Sequence, residues 1–162
     1  MTQTGFDIAE ESSGLDPLLE GTGYVPTKES SDRIRMQIPS LPSHLHPVRD
    51  FVYRLCLQHG CARSDAFDMK LIAGEALTNI MKHAYGGRRD GAIFIDLLFF
   101  RTFVEMRFRD FAPVKSDRLT GKDLSEYRED GLGLYLITSL SDYHYFDRSR
   151  GTLLVVKKRF QS

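Results

Sequence analysis

Three polar side chains lie four residues apart in the stretch GEALTNIMKHAYGG, which covers residues 74–87. Glu75 offers a carboxylate, Asn79 an amide and His83 an imidazole, so a proton acceptor, a metal-binding oxygen and a titratable ring are combined. A helix turns by about 100° per residue, so this spacing places them along one edge. Apolar neighbours predict a buried arc beside that edge. The same pattern also suits an ordinary amphipathic helix, whose core must be bordered by polar residues.

Later segments add groups that suit a phosphate-bearing ligand. Asp110 ends a strand pattern, where a carboxylate could accept a hydrogen bond from an adenine amino group. Gly131 and Gly133 precede an apolar helix, a place where the backbone can approach a phosphate and free N–H groups attract anions. Thr152 enters the last strand with a hydroxyl group. Each feature taken singly is weak, because glycines also serve as plain loop residues.

The elements that must position these residues follow from apolar periodicity. The alternation in RIRMQIP predicts a half-buried strand, and LPSHLHPVRDFVYRLCLQHG predicts a helix that stops at Gly60. A second helix is predicted from about Ser64, a good N-cap, to the Gly86–Gly87 stop. This second helix carries the polar edge.

The rest of the chain predicts strands separated by one loop and one helix. Two strands, AIFIDLLFF and TFVEMRFRD, turn around Arg101 and lead into a polar loop at residues 111–130. A short helix in GLGLYLITSL precedes two more strands that turn at Ser149–Gly151. This order predicts an α+β fold, a two-layer sandwich in which helices cover one face of a mixed, mostly antiparallel sheet.

Charge divides the chain into two parts. Residues 1–32 contain seven acidic residues and one lysine, a net charge of −6, so the remainder carries +6 in a chain of net charge zero. We expect residues 1–32 to be a disordered acidic arm, because they hold few large apolar side chains, and residues 33–162 to be one domain. The basic body suits an anionic partner. The absence of basic runs interleaved with aromatic residues argues against nucleic acid.

The sequence shows neither a membrane span nor a secretory signal. No window approaches about 18 consecutive apolar residues. The first residues, MTQTGFDIAEESSG, lack a basic region followed by an apolar one. We therefore expect a cytoplasmic protein that does not act at a membrane.

Taken in order, these motifs resemble the GHKL ATP-binding fold shared by gyrase, the Hsp90 chaperone, histidine kinases and mismatch-repair ATPases. The E-A-x-x-N-x-x-x-H-A-Y and G-L-G-L-x-L-I segments look most like one branch, the anti-sigma-factor serine/threonine kinases of bacterial partner-switching systems. The resemblance covers roughly residues 33–160. It implies ATP and Mg²⁺ as cofactors. It also allows a homodimer, which is common among relatives.

The resemblance assigns the helix edge to the phosphate end of ATP. Asn79 would hold the Mg²⁺ that bridges the phosphates, since magnesium prefers oxygen ligands and usually keeps several waters. Glu75 would act as general base on the hydroxyl that attacks the γ-phosphate. No chemistry is assigned to His83, which suits a structural role near the helix C-terminus.

The remaining assignments concern adenine and the phosphates. By the same resemblance Asp110 would bind adenine, Gly131 and Gly133 would hold the phosphates, and Thr152 would support the pocket beside Asp110. The loop at residues 111–130 would be the ATP lid.

One residue departs from the family pattern. The adenine motif usually reads D-x-G, and this chain has Ala112 at the third position. Alanine costs little if the backbone there has negative φ and forces the loop to shift if φ is positive.

Two functions remain open at this stage. The first is a serine/threonine protein kinase that phosphorylates a STAS-domain anti-anti-sigma protein and sequesters a sigma factor or another output protein. The second is a regulatory binding module of the same fold, in which nucleotide is passive or absent. The substitution at Ala112 and the short lid motivate the second.

Overall fold

One antiparallel sheet and a layer of helices make up the fold in the computed structural model, which describes residues 16–27, 30–113 and 132–161. The strands are β1 (Asp32–Pro39), β2 (Ala92–Phe99), β3 (Phe103–Asp110), β4 (Tyr143–Asp147) and β5 (Thr152–Arg159), and the helices are α1 (Leu45–Gln58), α2 (Arg63–Asn79) and α3 (Leu132–Leu140). The strand order is β1-β2-β3-β5-β4, and each of these pairings is antiparallel. The predicted α+β sandwich is confirmed. In these ranges no helix has both the length and the apolar character to cross a bilayer.

The main core lies between the helices and one face of the sheet. Strand residues alternate between faces, so Ile93, Ile95 and Leu97 of β2 point to the same side and are fully buried. Met69 and Leu77 of α2 meet this face and are also fully buried. Helix α2 is therefore fixed against the sheet along one side, while its other edge stays reachable.

Helix α2 starts differently from the sequence prediction. Its N-cap is Ala62, with extended backbone and no side-chain cap, and Ser64 lies inside the first turn. Asp65 occupies the first turn and is buried. A carboxylate there complements the positive end of the helix dipole and supplies part of what a capping side chain would give.

Helix α2 also ends differently, since the α-helix stops at Asn79 and a π-helical turn covers Ile80–Ala84. The Tyr85 N–H bonds to the Ile80 carbonyl at 3.0 Å, five residues back. Gly86 and Gly87 then end the helix with positive φ, as predicted. The constant rotation assumed for the polar edge therefore holds from Glu75 to Asn79 but does not continue through the π turn.

Residues 16–27 pack against the face of the sheet that the helices leave uncovered, and we call them the strap. Leu19 and Tyr24 are buried and form a second small core with Leu153 and Val155 of β5. This differs from the disordered arm expected for residues 1–32, whose first fifteen residues lie outside the described ranges. Two buried large side chains thus anchor the strap, although the segment is polar on average.

Ion pairs fasten the start of the strap. The Asp16 carboxylate bonds to Arg33 and to Arg35 of β1, the latter at 2.5 Å. Both arginines also bond to the buried Asp96 of β2. Burial alone would raise the pKa of Asp16, but the hydrogen bonds from Arg33, Arg35 and Leu18 lower it from its ordinary 3.8 to about 2.

A buried carboxylate fastens the end of the strap. Glu105 of β3 is completely buried and accepts hydrogen bonds from the Tyr24 hydroxyl, the Thr27 hydroxyl and Arg107 Nε, at 2.7, 2.7 and 2.6 Å. Lys157 of β5 lies 4.6 Å from the ring centroid of Tyr143. Burial lowers the pKa of Lys157, while the Glu105 charge raises it. The Glu105 carboxylate beneath the strap thus has three hydrogen-bond donors, and its charge acts on Lys157.

Replacing Asp16 by Asn should remove a pH-dependent part of the strap's attachment. The folded-state pKa of Asp16 is depressed from 3.8 to about 2, so its contribution is present above about pH 4 and is lost as the pH falls toward 2. We expect the difference in unfolding free energy between the unchanged chain and Asp16→Asn to be constant above about pH 5 and to shrink below about pH 4. Urea unfolding at a series of pH values measures this difference.

The control for this experiment is Glu20→Gln, an exposed acid in the same segment. Within the described chain, Glu20 has no ion pair to lose, so its substitution should leave the unfolding free energy nearly unchanged. A difference for Asp16→Asn that stays the same from pH 6 down to about pH 3 would contradict the attachment described here.

Candidate functional site

Asp110 is a completely buried carboxylate at the end of β3. Its Oδ1 accepts a hydrogen bond from the Ala112 N–H at 3.0 Å, whereas Oδ2 is buried and has no partner in the structure as described. Burial raises the pKa of Asp110, and hydrogen bonds from Ala112 and Thr152 act in the opposite direction. A buried acceptor without a donor costs about 1–3 kcal/mol. Asp110 therefore presents an open acceptor for a ligand N–H.

Gly151 allows β5 to approach Asp110 closely. Thr152 pairs directly with Asp110 in the register of β3 and β5, and Gly151 precedes it with φ of +67°. A Cβ at Gly151 would lie 2.2 Å from the Asp110 carbonyl oxygen and 2.8 Å from Phe111 Cα. No residue other than glycine fits this contact. The sequence marks Gly151 as a turn residue and as the glycine before Thr152, but the close approach to Asp110 depends on the pairing of β3 with β5.

The structure answers the backbone question at Ala112. Among the described residues, positive φ occurs only at glycines, so Ala112 has an ordinary backbone conformation. Its side chain is buried, and its N–H donates the hydrogen bond to Asp110 Oδ1. Alanine therefore imposes no backbone strain at the third position of this motif.

An apolar cavity between α2, α3 and the sheet lies beside Asp110. It is lined by Ala76, Asn79, Ile80, Leu134, Ile137, Phe146, Thr152 and Leu154. Two of the predicted site residues, Asn79 and Thr152, thus share one cavity, and Thr152 connects it to Asp110. Apolar walls with a few polar groups at fixed positions are typical of small-molecule sites. The combination suits a flat aromatic base whose amino group reaches Asp110.

Glu75 and Asn79 lie one turn apart on the half-buried edge of α2. In the described part of the chain neither side chain has a hydrogen-bond or ion-pair partner, so both keep their oxygens available. Arg49 of α1 crosses the helix at Gly74, where a Cβ would lie 3.0 Å from its Cδ and Nε. The Arg49 guanidinium therefore packs against Gly74, the residue before Glu75 in the sequence.

The acidic and metal-ligating residues of the described ranges form no group of three or more that could hold a metal. An ion bound at Asn79 would therefore take its other ligands from phosphate oxygens and water. This is the usual situation of Mg²⁺, which keeps several waters and is shared with substrate phosphates. The donor set at Asn79 fits such an ion.

The glycine pair is only partly described. Gly131 lies outside the described residues, and so does the part of the predicted lid from residue 114 to residue 130. Gly133 lies in the first turn of α3, one residue before Leu134 of the cavity wall. The start of α3 is thus beside the cavity, where helix N–H groups favour anions.

A model of the family described as the histidine kinase-like ATPase domain matches residues 38–158, which is most of the chain. The match includes Glu75, Asn79, Asp110 and Thr152. It therefore covers both the helix edge and the buried carboxylate.

Named relatives give a narrower comparison. The chain is 28% identical over 136 residues to a serine-protein kinase RsbW of Listeria monocytogenes, covering 78% of this chain and 87% of the relative. It is 27% identical over 141 residues to the serine-protein kinase RsbW of Bacillus pumilus, covering 80% and 87%. The similarity extends over nearly the full length of these relatives.

A solved structure of the RsbU and RsbW domains of Rv1364c from Mycobacterium tuberculosis has a similar fold. The TM-score is 0.61 at 15% sequence identity, and the match covers 80% of this chain and 33% of that one. At this identity the comparison concerns the fold, and it agrees with the two-layer arrangement described above.

Replacing Gly151 by Ala should destabilise the protein more than the same change at Gly87. Both glycines have positive φ, but a Cβ at Gly87 meets nothing within 4 Å, whereas at Gly151 it meets the Asp110 backbone at 2.2 Å. Gly87→Ala should cost about 1 kcal/mol for its backbone conformation, and Gly151→Ala about 3 kcal/mol or more. Chemical unfolding of both variants measures this. Equal costs would mean that the close contact at Asp110 has no energetic role.

Proposed function

This chain belongs to the histidine kinase-like ATPase family, and we propose that it is a serine/threonine protein kinase that transfers the γ-phosphate of ATP to a regulatory protein. The observation that carries the proposal is the open Oδ2 of Asp110, buried beside the cavity that Asn79 and Thr152 line. That arrangement supports a base with an exocyclic amino group at one end and a metal-bound phosphate at the other. The similarity to proteins named serine-protein kinases supports the transfer reaction.

In this proposal Asp110 binds the adenine end. Its free Oδ2 accepts the N–H of the adenine amino group, so ligand binding removes the cost of a buried unsatisfied acceptor. The Thr152 hydroxyl holds the carboxyl group beside the cavity, and Ile137 and Leu154 contact the faces of the base. Guanine carries a carbonyl at the matching position and would place two acceptors together, so we expect adenine specificity.

The phosphate end lies toward Asn79 and the start of α3. The Asn79 amide oxygen holds Mg²⁺, which when bound neutralises charge on the phosphates during transfer. The glycines Gly131 and Gly133 let the backbone approach the phosphate oxygens. Asn79 suits its role because it is half-buried and its side chain has no hydrogen-bond partner within the described ranges.

Glu75 completes the reaction as general base. The hydroxyl oxygen of a substrate serine or threonine forms a bond to the γ-phosphorus while the bond from that phosphorus to the ADP oxygen breaks. The proton of the hydroxyl passes to the Glu75 carboxylate. Glu75 suits this role because it is half-buried, lies one turn from Asn79 and has no partner in the described ranges to compete for its oxygens.

For the partners, we propose a STAS-domain anti-anti-sigma protein as phosphate acceptor and a sigma factor or another output protein as the sequestered partner. Each helix exposes one large aromatic residue, Phe51 on α1, Phe67 on α2 and Tyr135 on α3. Exposed aromatic residues are enriched at protein interfaces. Sigma factors act in the cytoplasm, so this function would place the protein there.

A second function rests on Ala112. Its buried methyl group lies where the family pattern has no side chain, two residues after Asp110. If that methyl group fills space needed by adenine, the chain acts as a binding module for a regulatory protein, without transfer. Phosphate incorporation into a partner separates the two functions, whereas partner binding alone is common to both.

Glu75→Gln should retain ATP binding and lose phosphate transfer. The amide keeps the size of the side chain but cannot accept the hydroxyl proton, so the transfer rate should fall by about 10²–10⁴-fold. The measurement is the transfer of labelled γ-phosphate to a purified STAS-domain protein from the same genome. Asp68→Asn is the matched control, an acid on the same helix that pairs with Lys158. Unchanged transfer by Glu75→Gln would remove Glu75 from the role of base.

Asn79→Ala should abolish the contribution of Mg²⁺ to ATP binding. Titration calorimetry with and without Mg²⁺ should show at least about tenfold tighter binding with the ion for the unchanged chain, and little difference for the variant. Thr78→Ala is the control, because Thr78 bonds to the Gly74 carbonyl of its own helix at 2.8 Å. Persistence of the Mg²⁺ effect in Asn79→Ala would place the ion elsewhere. Absence of ATP binding to the unchanged chain would support the binding module.

A further inference from the structure

Tyr85 connects the end of the helix that carries Asn79 to the strands that carry Asp110. It follows the π turn Ile80–Ala84, and its N–H closes that turn on the Ile80 carbonyl. Its hydroxyl donates a hydrogen bond of 2.5 Å to the carbonyl oxygen of Ala92, the first residue of β2. One side chain therefore spans from the helix end to the sheet.

The Tyr85 ring is held in one place by a glycine and a serine. A Cβ at Gly91 would lie 2.5 Å from ring carbons of Tyr85, so the ring lies directly against the Gly91 backbone. The buried Ser40 fixes that backbone by a bond from its N–H to the Gly91 carbonyl at 2.7 Å and by accepting the Gly91 N–H at 3.0 Å. The Ser40 hydroxyl donates to the Arg88 carbonyl. We call Ser40, Gly91 and the Tyr85 ring together the Tyr85 support.

On the sheet side, this support adjoins Asp110. Ala92 precedes Ile93, which pairs with Asp110 in the register of β2 and β3. Burial raises the pKa of Tyr85, a backbone bond from Phe111 lowers it and the Asp110 charge raises it. The Tyr85 phenol is therefore close enough to Asp110 and Phe111 to interact with them electrostatically.

The geometry of the π turn links the position of Asn79 to that of Tyr85. A π turn holds one more residue than an α turn, so converting Ile80–Ala84 to α geometry would rotate α2 relative to Tyr85 by about 100°. Asn79 directly precedes the turn and Glu75 lies one turn earlier, so both would move with the helix. Short π segments of this kind occur frequently at functional sites.

We propose that Tyr85 is a positioning residue that sets the separation and rotation between the phosphate end at Asn79 and the adenine end at Asp110. The inference rests on the proposed function, because it concerns a ligand that spans both ends. A ligand that reaches both ends depends on the Tyr85 support, and a ligand that occupies only the adenine end does not. ATP with Mg²⁺ and adenosine are the corresponding probes.

The test is titration calorimetry of Tyr85→Phe with both probes. The substitution keeps the ring and removes the bond to Ala92. Affinity for ATP with Mg²⁺ should fall about tenfold, while affinity for adenosine should change less than about twofold. A merely structural weakening would lower both affinities together. Tyr145→Phe is the matched control, since it removes a tyrosine hydroxyl bonded to Asp147 at 3.3 Å on the strap side of the sheet.

A second variant keeps the test decisive if Tyr85→Phe fails to fold. Gly91→Ala retains the hydroxyl but forces the ring away from its position, and it should give the same selective loss for ATP. Equal losses for ATP and adenosine, or no loss for either, would overturn the role of Tyr85 while leaving the proposed function in place. Failure of the unchanged chain to bind ATP contradicts the proposed function itself, and the inference falls with it.

Discussion

The contact between Gly151 and the Asp110 carbonyl is the constraint on which the site depends. Two antiparallel strands come so close at this point that no side chain fits between them, and this brings Thr152 directly opposite Asp110. The carboxyl group is thereby held below the surface with one oxygen bonded and one open. A wider spacing would admit water, which would satisfy the open acceptor and remove the driving force for a ligand donor. The backbone geometry therefore determines that this pocket favours a ligand with an N–H donor.

Helix α2 is buried against the sheet along one side and keeps polar side chains accessible to solvent along its border. Met69 and Leu77 fix one side of the helix against the sheet, and Glu75 and Asn79 lie at the border of that contact. A fully buried carboxylate such as Asp110 can recognise a neutral N–H group, but a base that takes a proton and an oxygen that holds a hydrated ion need access to solvent and substrate. The difference in burial between Asp110 and the α2 edge matches the different chemistry proposed for each.

Strong periodicity made the element order and the α+β class predictable from the sequence. The placement of Asn79 and Thr152 in one pocket followed instead from the resemblance to the ATP-binding family. The features that were missed have no periodic signal. Leu19 and Tyr24 are the only buried side chains of the strap, and its ion pairs and hydrogen bonds join it to residues distant in sequence, so average composition indicated disorder for that segment. The π turn differs from an α-helix by one hydrogen-bond register, and no residue type specifies it.

Packing overrode local preference at the remaining points. Ala62 is the N-cap of α2, although Ser64 has the better side chain for capping, and the buried Asp65 lies in the first turn. Gly151 was visible as a turn glycine, but its second role depends on the approach of β3, which is distant in sequence. Long-range constraints of this kind follow from the assembled sheet and cannot be read from neighbouring residues.

Ala112 shows how far backbone geometry decides between the two functions. Asp110 and Ala112 are buried, and Phe111 between them is exposed, with its ring centroid 4.5 Å from the Arg109 guanidinium. The φ angle of Ala112 is not positive, so a glycine is not required there for conformational reasons. The remaining effect of alanine is the volume of one buried methyl group two residues from Asp110. Core contacts are sensitive to one methyl group by about 1–3 kcal/mol, a cost that would weaken the proposed adenine binding without abolishing it. The balance therefore favours a kinase of reduced ATP affinity over a module that has lost its nucleotide.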